Sequence, residues 1–219
     1  AQAVTAIKHF ASRKALDLDG LGEIVAEALV RHGHCTTPLD LFRLDEETLA
    51  NLNLGTEESP RRFGEKNAAK VLTSLQAAKT KPLHRWLYAM GIRQLGESAA
   101  KELSRLHRTI AEIPDSEILA ELLRDTRATA KKQNEFLAKY SITGDVGPAV
   151  AETITTFFKS EAGHHVIARL AELGIDPLSD NYLPVAAEAE LSALPLAGKT
   201  FVITGTLSAD RDSIKELIE

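Results

Sequence analysis

The sequence contains 219 residues, and its 44% hydrophobic and 26% charged content is ordinary for a soluble globular protein of one or two domains. No apolar run approaches the roughly 18 residues that a membrane span needs, and no charged and then apolar leader opens the chain, so a cytoplasmic protein is expected. The formal charge of −5 at pH 7 argues against binding of nucleic acid through a general excess of basic residues.

The charge is unevenly distributed along the chain. Residues 1–109 contain 16 Lys and Arg against 13 Asp and Glu, a net charge of +3, whereas residues 110–219 contain 10 against 18, a net charge of −8. Any nucleic acid is therefore expected along the first half, held by backbone amides and a few placed basic residues.

The single cysteine, Cys35, excludes an internal disulfide and does not form a structural metal site alone. His32 and His34 lie near it in the sequence, and His164 and His165 are adjacent. Neither cluster has the ligand spacing of a tetrahedral site, so we expect surface imidazoles and no bound metal.

The first predicted elements are two helices joined by a tight turn. Residues 1–16 have apolar side chains at helical spacing, and Gly20 and Gly22 then flank Leu21 in the turn. A second helix follows and stops at Gly33.

Connector helices and an enlarged loop are predicted next. Thr37 and Pro38 suit a helix cap and a first helical position, and Asp45 precedes another short helix with acidic residues in its first turn. Residues 55–60 are polar and turn-forming, which predicts an enlarged loop.

The remaining elements up to residue 173 are also predicted to be helical. A helix that opens after Pro82 carries Trp86 among apolar residues, which favours a core position over stacking on a base. Residues 109–140 are predicted to be mostly helical, and a last helix is predicted from about His164 to Leu173.

One spacing occurs four times in the chain. An apolar residue precedes a Gly, an Ala follows four positions after the Gly, and an aliphatic residue follows three positions later. The copies are Leu21-Gly22 with Ala26 and Leu29, Phe63-Gly64 with Ala68 and Val71, Leu95-Gly96 with Ala100 and Leu103, and Val146-Gly147 with Ala151 and Ile154.

Each copy predicts a tight turn that runs into an amphipathic helix. Glycine permits the backbone of a short hairpin, and the helix that follows presents unpaired N–H groups and the positive end of its dipole. Together these groups form a small anion site, while the Ala lets a preceding helix cross closely. This arrangement is a helix-hairpin-helix unit, a module that binds nucleic-acid backbone.

The spacing between copies favours two pairs of hairpin units in one compact domain. The four glycines are separated by 42, 32 and 51 residues, whereas a solenoid keeps a fixed period. The predicted fold is therefore mainly α, with a tandem helix-hairpin-helix domain of four hairpin units over residues 1–176.

The last part of the chain changes character. Residues 177–194 have the composition of a linker. Residues 200–204 form a β-branched and aromatic run bounded by Gly198 and Gly205, which predicts a buried strand, and residues 208–219 begin a helix. One strand and one helix do not complete a sheet domain, so we expect the chain to stop inside a second, α/β domain over residues 195–219.

Four stretches resemble a known family. DLDGLG, FGEKNAAKVL, LYAMGIRQLGESAAKEL and PLAGKTFVITGTL, in this order, are similar to the C-terminal half of bacterial NAD-dependent DNA ligases. The resemblance implies that the hairpin domain follows a four-cysteine zinc finger and that residues 195–219 begin a BRCT domain. It also implies a cytoplasmic, nucleoid-associated enzyme that seals nicks in replication and repair.

The resemblance implies that this segment clamps nicked duplex DNA through backbone contacts in the minor groove, beside other domains of the same ligase. We expect no cofactor on the segment itself, whereas NAD, magnesium and zinc are implied for the full-length enzyme. The candidate DNA-binding residues are the hairpin glycines and their neighbours: Gly20, Leu21, Gly22, Arg61, Arg62, Gly64, Lys66, Arg93, Gln94, Gly96, Lys101, Gly144 and Gly147.

No catalytic residue is predicted in this segment. The family's nucleophile is the lysine of a Lys-x-Asp-Gly motif, but Asp17 precedes Asp19-Gly20 here, and neither a dinucleotide fingerprint nor paired metal-binding carboxylates are found. Two other classes remain open: a non-catalytic DNA-binding scaffold of repair or recombination, and a purely structural helical protein. An upstream four-cysteine cluster and adenylation lysine in the reading frame would separate them from a ligase.

Overall fold

A computed structural model describes residues 2–185 of the chain. The chain divides into two compact units, residues 1–182 and residues 183–219, so the described part covers nearly all of the first unit. The predicted strand at 200–204, the helix at 208–219 and the BRCT-like domain over 195–219 lie outside the described residues.

The described residues are mainly helical, which confirms the mainly α part of the predicted fold. Short 3-10 segments lie at Pro38–Arg43, Ile110–Glu112 and Leu137–Tyr140. Within the part of the chain that the structure describes, every helix is too short or too polar to cross a membrane. The α-helices are α1 (Gln2–Ala11), α2 (Glu23–Arg31), α3 (Glu46–Asn51), α4 (Glu65–Ala78), α5 (Leu83–Ala89), α6 (Glu97–Leu106), α7 (Glu117–Arg124), α8 (Ala130–Gln133), α9 (Pro148–Lys159) and α10 (Glu161–Glu172).

The helices pack in consecutive pairs. Helix α1 packs on α2, α3 on α4 and α5 on α6, and α7 packs on α9 across the short helical segments between them. The second member of each pair begins directly after one of the four repeated glycines. Helix α10 packs on α9 and closes the end of this unit.

The repeated Ala and aliphatic positions lie in the core. All of these side chains are 0% exposed, so the prediction that the aliphatic residue of each copy enters the core is confirmed. Burial of each aliphatic side chain stabilises the fold by about 1.5–3 kcal/mol. The residues are Ala26, Leu29, Ala68, Val71, Ala100, Leu103, Ala151 and Ile154.

Trp86 lies at the centre of the unit, as predicted. It is 0% exposed, and its indole N–H donates to the carbonyl oxygen of Ala78 at 3.1 Å. Phe10 meets its ring edge-on with centroids 5.7 Å apart, and Phe42 stacks on it at 5.8 Å. Because this side chain is enclosed and its only donor is satisfied, it does not offer a stacking surface to a base.

The predicted connector helices form between α2 and α4. The side chains of Thr37 and Asp40 form a capping box at the 3-10 segment that opens with Pro38. Asp45 precedes α3, and its carboxylate accepts a hydrogen bond from the Thr48 amide at 2.7 Å. These caps satisfy amides that the helix itself leaves without partners.

Residues 109–140 are mostly helical, as predicted, but they do not form one long helix. The region is broken into short segments separated by turns and loops. Pro114 lacks the amide that a continuing helix would use. The Asn134 side chain ends α8 because its carbonyl oxygen accepts from the amides of Phe136 and Leu137 at 3.0 and 3.1 Å.

The first residues of the predicted linker contact the helical unit. The Leu83 amide donates to the carbonyl of Leu178 at 2.8 Å, and the Ser179 amide donates to the carbonyl of Arg108 at 2.9 Å. The side-chain amide of Asn181 donates to the Lys101 carbonyl at 3.0 Å. Hydrogen bonds to α5 and α6 therefore fix the backbone here, although its composition resembles that of a linker.

Candidate nucleic-acid interface

Each of the four repeated glycines is the residue that precedes an α-helix, which confirms the predicted helix starts. In every copy the amide of the Ala four positions later donates to the glycine carbonyl and closes the first helical turn. The distances are 3.0 Å for Ala26 to Gly22, 3.0 Å for Ala68 to Gly64, 2.9 Å for Ala100 to Gly96, and 2.9 Å for Ala151 to Gly147.

The N-termini of these four helices have no side-chain cap. Among residues 2–185, no side-chain cap hydrogen bond is found at the starts of α2, α4, α6 or α9. By contrast, Asp45, Ser116 and Ser160 cap α3, α7 and α10 through their side-chain oxygens. Since the first amides of a helix have no partner within the helix, the glycine-headed helices keep donors for an external acceptor. Helix α9 has one fewer, because Pro148 occupies its first position.

The residue with left-handed backbone (positive φ) is not at the same repeat position in every copy. Gly20 has φ +84°, and Gln94, which occupies the same position in the third copy, has φ +63°. In the second copy the left-handed residue is Gly64 itself, with φ +88°. Gly22 and Gly96 have φ −77° and −76°, a conformation that any residue adopts.

The space outside the helix-capping glycines is open. A Cβ built on Gly22, Gly64, Gly96 or Gly147 meets no atom within 4 Å, and the same holds for Gly144. Another molecule can therefore approach the backbone at these points without displacing protein atoms.

Two of the predicted site residues face the protein interior instead. A Cβ on Gly20 would lie 2.8 Å from Cγ2 of Val71, so this glycine allows the first turn to approach α4. The Leu21 side chain is 5% exposed and belongs to the core. These two residues shape the turn, and neither offers a side-chain position to a ligand.

The second hairpin borders a cleft of about 450 Å³ whose lining includes the basic side chains of Arg62 and Lys66, the acidic side chain of Glu65, and Gly64. The enlarged loop that precedes this cleft is fixed by Asn53. The side-chain oxygen of Asn53 accepts from the amides of Gly55 and Arg61, both at 2.9 Å.

The predicted basic contacts are exposed. Among the described residues, no carboxylate pairs with any of these basic side chains, so their charge is available to an external anion. They are Arg61, Arg62, Lys66, Arg93 and Lys101.

Two further lysines, which were not predicted as binding residues, lie at the N-termini of α2 and α6. Lys8 pairs with Glu23 at the start of α2. Lys14 Nζ lies 3.0 Å from Oε2 of Glu97 at the start of α6. The hydrogen bond and charge of Glu97 raise the pKa of Lys14 above its usual value. No local pattern predicts the second pair, because its members come from distant parts of the chain.

The hairpins are joined by polar contacts. The Asp19 amide in the first hairpin donates to the Ser74 hydroxyl on α4 at 2.9 Å. In the third hairpin, the Gln94 side-chain oxygen accepts from the Thr153 hydroxyl on α9 at 3.3 Å. Together with the Lys14–Glu97 pair, these contacts connect elements of all four copies.

The chain was compared with known proteins. No protein-family profile matches it. Across an alignment of 265 positions it is 40% identical to a DNA ligase of Akkermansia muciniphila, and this alignment covers 100% of the chain and 33% of the relative. The chain thus spans about one third of the length of that relative. This similarity to a bacterial DNA ligase along the whole chain confirms the resemblance carried by the four sequence stretches.

Proposed function

We propose that this chain is the DNA-binding portion of an NAD-dependent DNA ligase, the enzyme that seals single-strand nicks in duplex DNA during replication and repair. The observation that supports this most strongly is the set of four glycine-headed helices without side-chain caps, each packed on an earlier helix. Similarity to a DNA ligase along the whole chain supports the same assignment.

Each unit acts as a helix-hairpin-helix that receives one or two DNA phosphates. The free amides at the helix start donate to phosphate oxygens, and the helix dipole adds a favourable positive potential. The open space at Gly22, Gly64 and Gly96 lets the DNA backbone approach the protein backbone. Amides do not distinguish bases, so the units bind without sequence preference. The resemblance to the ligases implies that they contact nicked duplex DNA along its minor groove.

In this proposal the ligase chemistry belongs to other domains of the parent protein, which acts in the cytoplasm at the nucleoid. The adenylation lysine, NAD and magnesium are assigned to its nucleotide-binding domain, and zinc is assigned to the four-cysteine finger.

The proposal is tested by fluorescence anisotropy with a 30-base-pair duplex that carries a central nick. Binding measured from 20 to 300 mM KCl is expected to weaken with a log–log slope of roughly −3 to −6, at about 0.9 per phosphate neutralised. Duplexes of unrelated sequence are expected to bind equally. Absence of binding at low salt, or strong preference for one sequence, would contradict the proposal.

A further inference from the structure

Two lysines lie where glycine-capped helices begin. Lys8 pairs with Glu23, the first residue of α2, and Lys14 pairs with Glu97, the first residue of α6. The lysine side chains are 41% and 70% exposed, so neither is fixed by packing. The two ion pairs lie at the N-termini of α2 and α6, where the proposed function places a DNA phosphate.

The glutamates are poor neighbours for a phosphate. A carboxylate in the first turn interacts favourably with the positive end of the helix dipole, so it competes with an external anion for the same potential. Two negative charges a few ångströms apart repel each other even in water. A phosphate at α2 or α6 therefore needs a compensating positive charge next to Glu23 or Glu97.

The paired lysines supply that charge. A Lys ammonium has three donors on a flexible stem, so it can contact a carboxylate and a phosphate oxygen at the same time. The hydrogen bond and charge of Glu97 raise the pKa of Lys14, which shows that the two side chains interact favourably when the lysine is charged. Lys14 also comes from the turn after α1, whereas Glu97 starts α6, so this pair links the first hairpin to the third.

We propose that Lys8 and Lys14 bind DNA phosphates at the starts of α2 and α6, and that Glu23 and Glu97 position these lysines while limiting the affinity for DNA. This inference rests on the proposed function. It adds two basic contacts to those made by the hairpin amides, and it adds two carboxylates that lower the affinity for DNA.

The chain provides matched controls for both residue types. Lys159 is an exposed lysine in the last turn of α9, at the opposite end of that helix from its hairpin. Glu161 is an exposed first residue of α10, but the Ser160 side chain already caps this helix by accepting from the Gly163 amide at 3.1 Å.

The test measures binding of the 219-residue chain to the nicked duplex as a function of KCl, together with melting temperature. Lys8→Met and Lys14→Met are each expected to reduce the magnitude of the salt slope by about 0.9, and Lys159→Met to leave it unchanged. Glu23→Gln and Glu97→Gln are each expected to raise affinity at low salt by about fivefold, and Glu161→Gln to have no effect.

The outcomes separate this inference from the proposed function. If the unsubstituted chain shows no salt-dependent DNA binding, the proposed function fails. If that chain binds but Lys8→Met and Lys14→Met keep its slope, the lysines are surface ion pairs and the inference is overturned. If the slopes fall but the glutamine variants bind no more tightly, the restraint by the glutamates is refuted.

Discussion

Gly20 and Val71 approach so closely that a single added carbon at Gly20 would lie 2.8 Å from Cγ2 of Val71. This contact joins the first hairpin to α4. The backbone of Gly20 is also left-handed, with φ +84°, so the position excludes side chains for two independent reasons.

Gly20→Ala is therefore expected to destabilise the fold. Overpacking against Val71 costs about 1–3 kcal/mol, and the left-handed backbone adds about 1 kcal/mol for a residue with a Cβ. Urea unfolding measures the loss. Gly22→Ala is the control, because its φ of −77° is unstrained and its Cβ meets no atom within 4 Å. If the two variants had equal free energies of unfolding, the added methyl group at position 20 would be accommodated beside Val71 without loss of stability.

Gly96→Val is expected to separate DNA binding from folding. Its φ of −76° suits a residue with a Cβ, and the added side chain would extend into open space where the phosphate is proposed to approach. We expect DNA affinity to fall about tenfold or more with little change in melting temperature. At Gly64, whose φ is +88°, the same substitution is expected to reduce both quantities. Affinity that follows stability in both variants would identify the hairpins as structural turns only.

The basic residues of the second hairpin are expected to determine part of the salt dependence. Arg61→Gln and Arg62→Gln remove exposed charges that no carboxylate among the described residues neutralises. Each is expected to weaken binding uniformly across DNA sequences and to reduce the salt slope by about 0.9. Lys159→Gln serves as the control. An unchanged salt slope in both Arg variants would show that the cleft at Gly64 is not part of the DNA interface.

The repeat spacing predicted the parts of the fold that are local in sequence. A helix that starts at Gly22 necessarily brings Ala26 and Leu29 to one face, so their burial follows from helical periodicity. The mostly helical stretch predicted after Thr109 is divided into short segments, because helix propensity does not outweigh Pro114 and the Asn134 side chain.

The contacts between hairpins could not be predicted. The repeat shows that Gly20 belongs to a turn, but only the tertiary fold brings Val71 against it. The same holds for Lys14 and Glu97, which lie in different hairpins. Leu21 was predicted as a binding residue because it lies next to the glycine turn, but its side chain is in the core. Proximity in sequence to such a turn does not distinguish a core side chain from a surface one.

The isolated chain is expected to carry no adenylate. The sequence lacks the Lys-x-Asp-Gly motif of the family's nucleophile, and correct positioning of DNA does not replace a nucleophile. Incubation with radiolabelled NAD and magnesium, followed by denaturing electrophoresis, measures covalent AMP, and a complete ligase is the positive control. A labelled band at the mass of this chain would overturn the division of roles proposed above.

His107 is buried in a hydrogen-bonded chain that favours its neutral form. Its Nδ1 lies 2.8 Å from the carbonyl oxygen of Leu103, which only accepts, so this nitrogen carries the proton. Its Nε2 lies 2.7 Å from the hydroxyl of Ser116, which in turn accepts from the amide of Leu119 at 3.2 Å. Neutral Nε2 accepts the hydroxyl proton, and the cap of α7 is complete.

We therefore expect His107 to make the fold sensitive to acid. Burial lowers the pKa of His107 below 6.5, and the Leu103 carbonyl and Glu112 only partly oppose that shift. At a pH between the folded-state and unfolded-state pKa of His107, the unfolded chain binds more protons than the folded chain, so acid favours unfolding. The stability that neutral His107 provides is therefore complete above about pH 6.5 and is lost as the pH falls through the folded-state pKa. Urea unfolding from pH 8 to 5 measures this loss, and His107→Gln is expected to reduce the pH dependence. His34→Gln, at an exposed position, is the control, and an identical pH dependence in the His107 variant would contradict the assignment.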